Sequence, residues 1–300
     1  MNEIKLVALF CYICECYDTN LRWNCQRFSN NSTPADFSDE ELLTIYIYSV
    51  IEEEKYKVKS IHDYATKYLK NWFPTLPSYQ AFNRRLNRLN NVFPLLVSIL
   101  LQDAEKQGVA LNISLIDSMP IITCSGKRRG LVAPQLTDKG YCSTKQLHYF
   151  GAKLHGIAFH RAKQLPMPEY FGLSVASEHD LNAVRDILTQ LEHRKIYADK
   201  AYANKDLHQF LKKELDIQVF TPVKLIKGQT EQQRQFAFAA NKLFSSAVSR
   251  IRQPIESLFN WLIEKTQIQR ASKVRSANGL IVHVFGKIAA AVSLWVNFNY

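Results

Sequence analysis

The sequence predicts a two-part molecule, all-helical to about residue 108 and mixed α/β from 109 to 300. Three observations lead there. The front part carries helix caps and apolar stripes at helical spacing. After Gly108, short apolar runs of β texture alternate with helical ones, the pattern of a mixed sheet with helices packed on it. The composition is that of a globular chain, with 47% hydrophobic and 12% aromatic residues over 300 positions, enough to bury a sizeable core.

Cys11, Cys14, Cys16 and Cys25 crowd the first segment, and Cys124 and Cys142 lie far from it. Cys11-x-x-Cys14 has no second CxxC or His pair at zinc-like spacing, so reduced cysteines on a helix fit better than a metal or redox pair. Met1 to Cys11 carries an early acid and no small-x-small cleavage site, which argues against a signal peptide. Ser38-Asp39-Glu40-Glu41 is a capping box opening a helix with the stripe Leu42, Leu43, Ile45, Tyr46 and Val50. A second helix is expected over Ser60 to Trp72, ending before Pro74. A third runs from Ser78 to Leu89, and a fourth from Phe93 to Gln107 with Gly108 as its stop.

Beyond Gly108, Leu111 to Asp117 reads as a buried strand closed by its acid. Further β-like runs lie at Ile121 to Cys124, at 148–159 and at Leu173 to Ala176. A helix over Asp180 to His193, capped by Asp180, precedes the strand Lys195 to Asp199. Helix 204–215 leads to the run 217–222. The polar stretch 224–245, rich in Lys, Gln and Arg, is expected to be a loop and helix inserted before the segment of Glu256. In that segment Ile251, Ile255, Leu258 and Leu262 share a helix face. Glu256 lies beside the face, with Arg252 and Asn260 one turn either way. Pro254 either begins this helix or kinks it. Gly279 to Phe298 is nearly all apolar, but His283, Gly286, Lys287, Ser293 and Asn297 are spread along it. Such groups are costly at bilayer depth, so a buried globular helix is expected rather than a membrane span, and with it a soluble, cytoplasmic protein.

The net charge of +11 and the pI near 9.3 favour a polyanionic partner, against the alternative of a basic protein with no nucleic-acid role. Taken singly, Asp117, Asp199 and Glu256 have plain readings: a turn former, a helix cap, a solvated helical acid. Taken together, two carboxylates at strand ends and one on a packed helix are able to converge on a pair of divalent cations. Hard cations such as Mg²⁺ take oxygen ligands, and a pair of them activates an attacking oxygen and stabilises a leaving one in phosphodiester cleavage. Three converging acids with no cation between them repel one another, which favours a catalytic reading over a purely DNA-binding one.

Ile116-Asp117-Ser118-Met119-Pro120, the stretch from His148 to His155, Ala198-Asp199-Lys200-Ala201-Tyr202 and Arg252-x-x-x-Glu256 together resemble bacterial insertion-sequence transposases of the DDE type, the insertion-sequence 982 family in particular. The likeness extends to Ser38 through Thr44 and to Ser177-Glu178-His179-Asp180, and the acids are spaced 82 and then 57 positions apart. The resemblance implies a ribonuclease-H-like catalytic core behind an all-helical N-terminal domain that binds DNA ends. It implies Asp117, Asp199 and Glu256 as catalytic residues and as ligands of two Mg²⁺ ions, with Mn²⁺ as a substitute. It further implies cleavage at element ends, strand transfer into target DNA, and a homodimer on double-stranded DNA carrying terminal inverted repeats, associated with the nucleoid when bound. A nuclease without strand transfer and a non-catalytic repressor are the alternatives. Many relatives carry Tyr and Arg seven and four residues before the Glu and Lys seven after it. Here Arg252 fits that pattern, while Ser249 and Ile263 depart from it and Lys265 lies two positions on.

Basic residues supply candidate DNA contacts. Lys127, Arg128 and Arg129 follow the first acid-bearing run, where Arg forks match phosphate oxygens. Arg84, Arg85 and Arg88 lie on the third helix, either entering a groove in the manner of a helix-turn-helix or forming a solvated basic face. Lys200, Arg250 and Arg252 sit beside the acids. Lys224, Lys227, Arg234 and Lys242 add charge in the insertion. His148, His155, His160 and His179 match no common ligand spacing and are expected in structural roles. Tyr202 suits substrate contact and core packing equally. Neither Cys124 nor Cys142 has a local signature of a nucleophilic enzyme.

Overall fold

The computed structural model describes residues 2–25, 36–106, 112–128, 130–142, 146–223 and 231–296, the side chains of 231–237 and 239 excepted. In chain order its main elements are α1 (Glu3–Cys16), α2 (Asp39–Ile51), α3 (Val58–Tyr64), α4 (Tyr79–Arg88), α5 (Val92–Lys106), β1 (Ile113–Ser125), β2 (Asp138–Cys142), β3 (Leu147–Phe159), β4 (Met167–Val175), α6 (Asp180–Leu188), β5 (Arg194–Tyr197), α7 (Lys205–Leu215), β6 (Ile217–Phe220), α8 (Glu231–Arg252), α9 (Pro254–Thr266), α10 (Ala277–Ile281) and α11 (Lys287–Val292). They form two compact units: Met1–Gln107 with Leu131–Gln135 and Leu262–Tyr300, and Gly108–Gly130 with Leu136–Trp261. The expected boundary at residues 108 and 109, and the glycine expected to stop the fourth helix, lie outside the described residues.

The first unit is helical. The capping box at the head of α2 forms as the sequence predicts: Ser38 Oγ accepts from the Glu41 amide at 3.1 Å, and the Glu41 carboxylate accepts from the Ser38 amide. The expected single stripe on α2 is instead burial on every side, since Thr44, Ile47, Tyr48 and Ser49 are buried along with Leu42, Leu43, Ile45, Tyr46 and Val50. Of its buried hydroxyls, Thr44 Oγ1 donates to the Glu40 carbonyl at 2.7 Å, and Ser49 Oγ has no hydrogen-bond partner among the described residues. The apolar tail packs here too. Ala277–Trp295 is long and apolar enough to cross a bilayer by composition, yet 61% of its most apolar window is buried within the protein. A single π-helical turn, Val282–Gly286, joins α10 to α11, and another, Ala65–Leu69, extends α3.

The second unit is a mixed α/β fold, consistent with a ribonuclease-H-like core. Its six described strands form one sheet in the order β2-β3-β1-β5-β6, with β4 also on β3. β2 and β4 share one edge of β3 end to end, pairing with residues 147–151 and 152–159. β1 and β3 are antiparallel, while β5 and β6 run parallel to β1. The runs expected as two strands at 111–117 and 121–124 are one, β1, and it passes through Pro120. Among the described residues β5 pairs only with Ile113 to Leu115, so the part of β1 around Pro120 is paired with β3 alone, and a proline is tolerated where a strand has an open edge. Asp117 therefore lies within a strand rather than at its end. Ile116, Ile157, Leu181, Val184, Leu188 and Ile196 form the core between the sheet and α6.

Candidate active site

Asp117 is placed by β1, and two neighbours in the sheet decide what faces it. Across the antiparallel pair its partner is Gly156. The parallel register pairs Leu115 with Tyr197. Asp199 follows Tyr197 by two residues, as Asp117 follows Leu115, and its charge acts on the Asp117 carboxyl. Gly156 supplies the third approach. A Cβ there would lie 3.0 Å from Phe259 Cε1, so the ring of Phe259 rests against bare backbone. Phe259 is three residues beyond Glu256 on α9, hence on the same helix face. Pro254 begins that helix and does not kink it, which puts Glu256 in its first turn.

Arg252, the last residue of α8, ties the cluster together. Its Nη1 donates to Asp117 Oδ2, and its Nη2 donates to Glu256 Oε1 at 2.8 Å. Asp117 Oδ1 accepts from the Ser118 amide at 2.9 Å. Burial pushes the Asp117 carboxyl up to about 6. The Arg252 guanidinium and the Ser118 amide oppose that push, and the negative charges of Asp199 and Glu256 add to it. Those charges place three carboxylates from β1, the segment after β5, and α9 in one electrostatic neighbourhood. Burial alone would pull Arg252 down, but Asp117 and Glu256 hold its guanidinium more firmly protonated.

The donor chemistry fits a divalent cation. Three carboxylates against one guanidinium leave two negative charges uncompensated. As the side chains stand, no three His, Cys, Asp or Glu groups among the described residues are close enough to hold a metal ion together. The guanidinium lies between two of the three acids.

The strand face opposite Asp117 is also polar. Ser118 Oγ donates to Asp180 Oδ1 at 3.2 Å, and Lys153 Nζ donates to the same oxygen at 3.0 Å and to the Glu178 carbonyl at 2.6 Å. The expectation that Asp180 caps α6 is corrected: His179 is the cap, its Nδ1 accepting from the Leu181 amide, and the Asp180 carboxylate instead anchors the helix to β1 and β3. The sequence offered no sign of this, because Lys153 and Asp180 are 27 positions apart. His155 is a structural histidine, with Nε2 on Ser174 Oγ at 2.8 Å and burial pulling its ring down to about 4. Tyr202 is 2% exposed and part of the core below the site. Its hydroxyl has no hydrogen-bond partner among the described residues, and burial, followed by the charge of Asp180, keeps it well above its ordinary pKa.

The basic candidates divide. Arg84 and Arg88 are exposed. Arg85 is occupied within its own unit, bonded to the Asp39 carboxylate and the Phe37 carbonyl and lying over the Phe37 ring. Lys127 and Arg128 are exposed just past the end of β1; Arg129 lies outside the described residues, as do Lys224 and Lys227, and the Arg234 side chain is likewise not described. Lys200, Lys242 and Arg250 are exposed. None of the six cysteines is in a disulfide among the described residues.

Comparison with known proteins gives one family. A solved structure, the crystal structure of a pre-cleavage Mos1 transpososome, aligns over 96% of this chain and 88% of that one at 13% identity, with a TM-score of 0.21, too low to establish a shared fold. No curated protein matches the chain. The model of the family described as "Transposase DDE domain" matches residues 110–293, a span that includes Asp117, Asp199 and Glu256. With more than half of its length matched, the chain belongs to the transposase DDE domain family.

Proposed function

We propose that this chain is an insertion-sequence transposase with a ribonuclease-H-like core, cutting DNA at element ends and joining the freed ends to target DNA. Asp117, Asp199 and Glu256 are its catalytic acids and would hold two Mg²⁺ ions. Bound there, the ions would lower the pKa of an attacking water and stabilise the leaving oxygen. The observation that carries the reading is the single guanidinium shared by Asp117 and Glu256, with the charge of Asp199 acting on the same Asp117 carboxyl. A chain that only binds DNA gains nothing from gathering acids this way, because their repulsion is unfavourable.

The chain's own groups have distinct tasks in this reading. Asp117, fixed in a central strand and held by the Ser118 amide, is the rigid ligand. Glu256, on the first turn of α9 with its side chain 52% exposed, is the adjustable one. Hydrolysis of a phosphodiester at the element end releases a 3′ hydroxyl, which attacks a target phosphate in the same site. Lys127, Arg128, Lys200 and Arg250 would carry the DNA backbone past the acids, because guanidinium and ammonium groups neutralise phosphate. The insertion-sequence 982 assignment, the homodimer on DNA and a cytoplasmic location belong to the same proposal.

The test is a Mg²⁺-dependent nicking and joining assay on duplexes bearing candidate terminal repeats. Asp117→Asn should abolish nicking and leave end binding intact. A variant that still nicks removes Asp117 from the catalytic set, and nicking without joining by the unaltered chain favours the nuclease alternative.

A further inference from the structure

Arg252 lies between Asp117 and Glu256 and bonds to both. It donates to Asp117 Oδ2 and to Glu256 Oε1, so those two oxygens are already engaged. Its fork also sets their spacing. Two carboxylates bonded to opposite nitrogens of a guanidinium stand farther apart than two ligands of one small ion, whose metal–oxygen distances are about 2.1 Å. No three His, Cys, Asp or Glu groups among the described residues are close enough to bind an ion together. A divalent ion and a guanidinium on the same oxygens would also repel each other, most strongly at the largely buried Asp117.

The surroundings give the side chain somewhere to go. Arg252 ends α8, Gln253 is a turn, and Pro254 starts α9, so Arg252 and Glu256 stand on two different helices. The Glu256 side of the fork is open, its side chain 52% exposed against 15% for Arg252. Removing the guanidinium with nothing in its place would leave three uncompensated carboxylates, one of them largely buried.

We infer that Arg252 is a displaceable counter-cation, pairing with Asp117 and Glu256 while no divalent ion is bound and yielding their oxygens when one enters. The inference rests on the three-acid reading above. It makes Arg252 a positioning residue in the empty state and frees its fork for a phosphate oxygen in the loaded one.

The experiment is a titration of the DNA-free full chain with Mn²⁺, bound ion being counted by electron paramagnetic resonance. It is run on the unaltered protein, on Arg252→Gln and on Asp117→Asn, with thermal unfolding recorded with and without the ion. Displacement predicts that Arg252→Gln binds Mn²⁺ tighter by about tenfold, as expected when a competing ion pair is removed. It also predicts that Arg252→Gln melts at a lower temperature without the ion and gains more from adding it. Equal or weaker Mn²⁺ binding by a folded Arg252→Gln protein overturns the inference while leaving the three-acid site standing. Mn²⁺ binding that is absent in all three proteins, or that Asp117→Asn does not alter, overturns the three-acid site and this inference with it.

Discussion

Lys287 allows a stability argument to be taken to numbers. Its side chain is 2% exposed in the helical unit. Its Nζ is 3.4 Å from the Gln267 carbonyl oxygen and 5.9 Å from the centre of the Tyr56 ring, and no carboxylate pairs with it among the described residues. Burial pulls its pKa from the ordinary 10.5 down to about 7. The sign is then fixed. As pH falls from 10.5 towards 7 the unfolded chain takes up a proton that the folded chain refuses, so folding stability falls. Below 7 the folded chain takes it too, and the loss levels off. At 1.36 kcal/mol per pH unit the penalty approaches about 5 kcal/mol at low pH, is about 4 at pH 7, and is about 2 at pH 9. His283, one turn away, is pulled down to about 3 by burial and stays neutral throughout this range. Lys287→Met keeps the volume and removes the charge, so it should be more stable than the parent by about 4 kcal/mol at pH 7 and by only about 1 near pH 10. Urea unfolding of both proteins from pH 6 to 10, followed by circular dichroism, measures the difference, and titrating groups that do not feel the Lys287 charge cancel in it. A difference independent of pH, or a methionine variant less stable at every pH, would show that the ammonium has a counter-charge or water after all.

Other outcomes are set by the geometry. Gly156→Ala should press the Phe259 ring back by a few tenths of an ångström, destabilising by about 1–3 kcal/mol and lowering nicking more than DNA binding; full activity in this variant would mean the ring contact does not position Glu256. Asp180→Ala strands Lys153 and should cost about 3 kcal/mol, read from urea midpoints, whereas a cost under about 1 kcal/mol would mean the anchor is dispensable. Tyr202→Phe removes a buried hydroxyl with no partner among the described residues and should leave stability unchanged or raise it by about 1 kcal/mol; an inactive but equally stable variant would give the hydroxyl a role in the site. Arg84→Ala and Arg88→Ala should weaken DNA binding and flatten its salt dependence, while Arg85→Ala should lower thermal stability, since its partly buried ion pair with Asp39 is lost; the reverse assignment contradicts the placement of these three side chains.

The sequence was most legible where the governing contacts are local. The capping box at Ser38 and Glu41 and the helix from 205 to 215 depend on residues within one or two turns. The strand through Pro120 was not legible, because its tolerance depends on β5 ending opposite Leu115, in a segment far along the chain. β2 was missed because Asp138-Lys139-Gly140 has no β texture and is held only by pairing with β3. Around the proposed site, the Arg252 fork on Asp117 and Glu256 and the fit of Phe259 on Gly156 join residues far apart in the chain and could not be read from it. Arg85 shows the limit most simply: its charge is visible in the sequence, and its partner Asp39 lies 46 positions away.

The π-helical turn at Val282–Gly286 is wound more loosely than its flanks, and the surplus residue it holds sets the phase of α11. Rewinding those five residues as ordinary α-helix, with none deleted, would remove the surplus from the turn. Everything after it would then rotate by about 100° about the axis. Lys287 would swing from its dry seat towards another side, and Gly286, against which Tyr46 now lies, would no longer be where the ring needs it. The local wind of five residues thus acts as a vernier, fixing which side chains of the last helix meet the core.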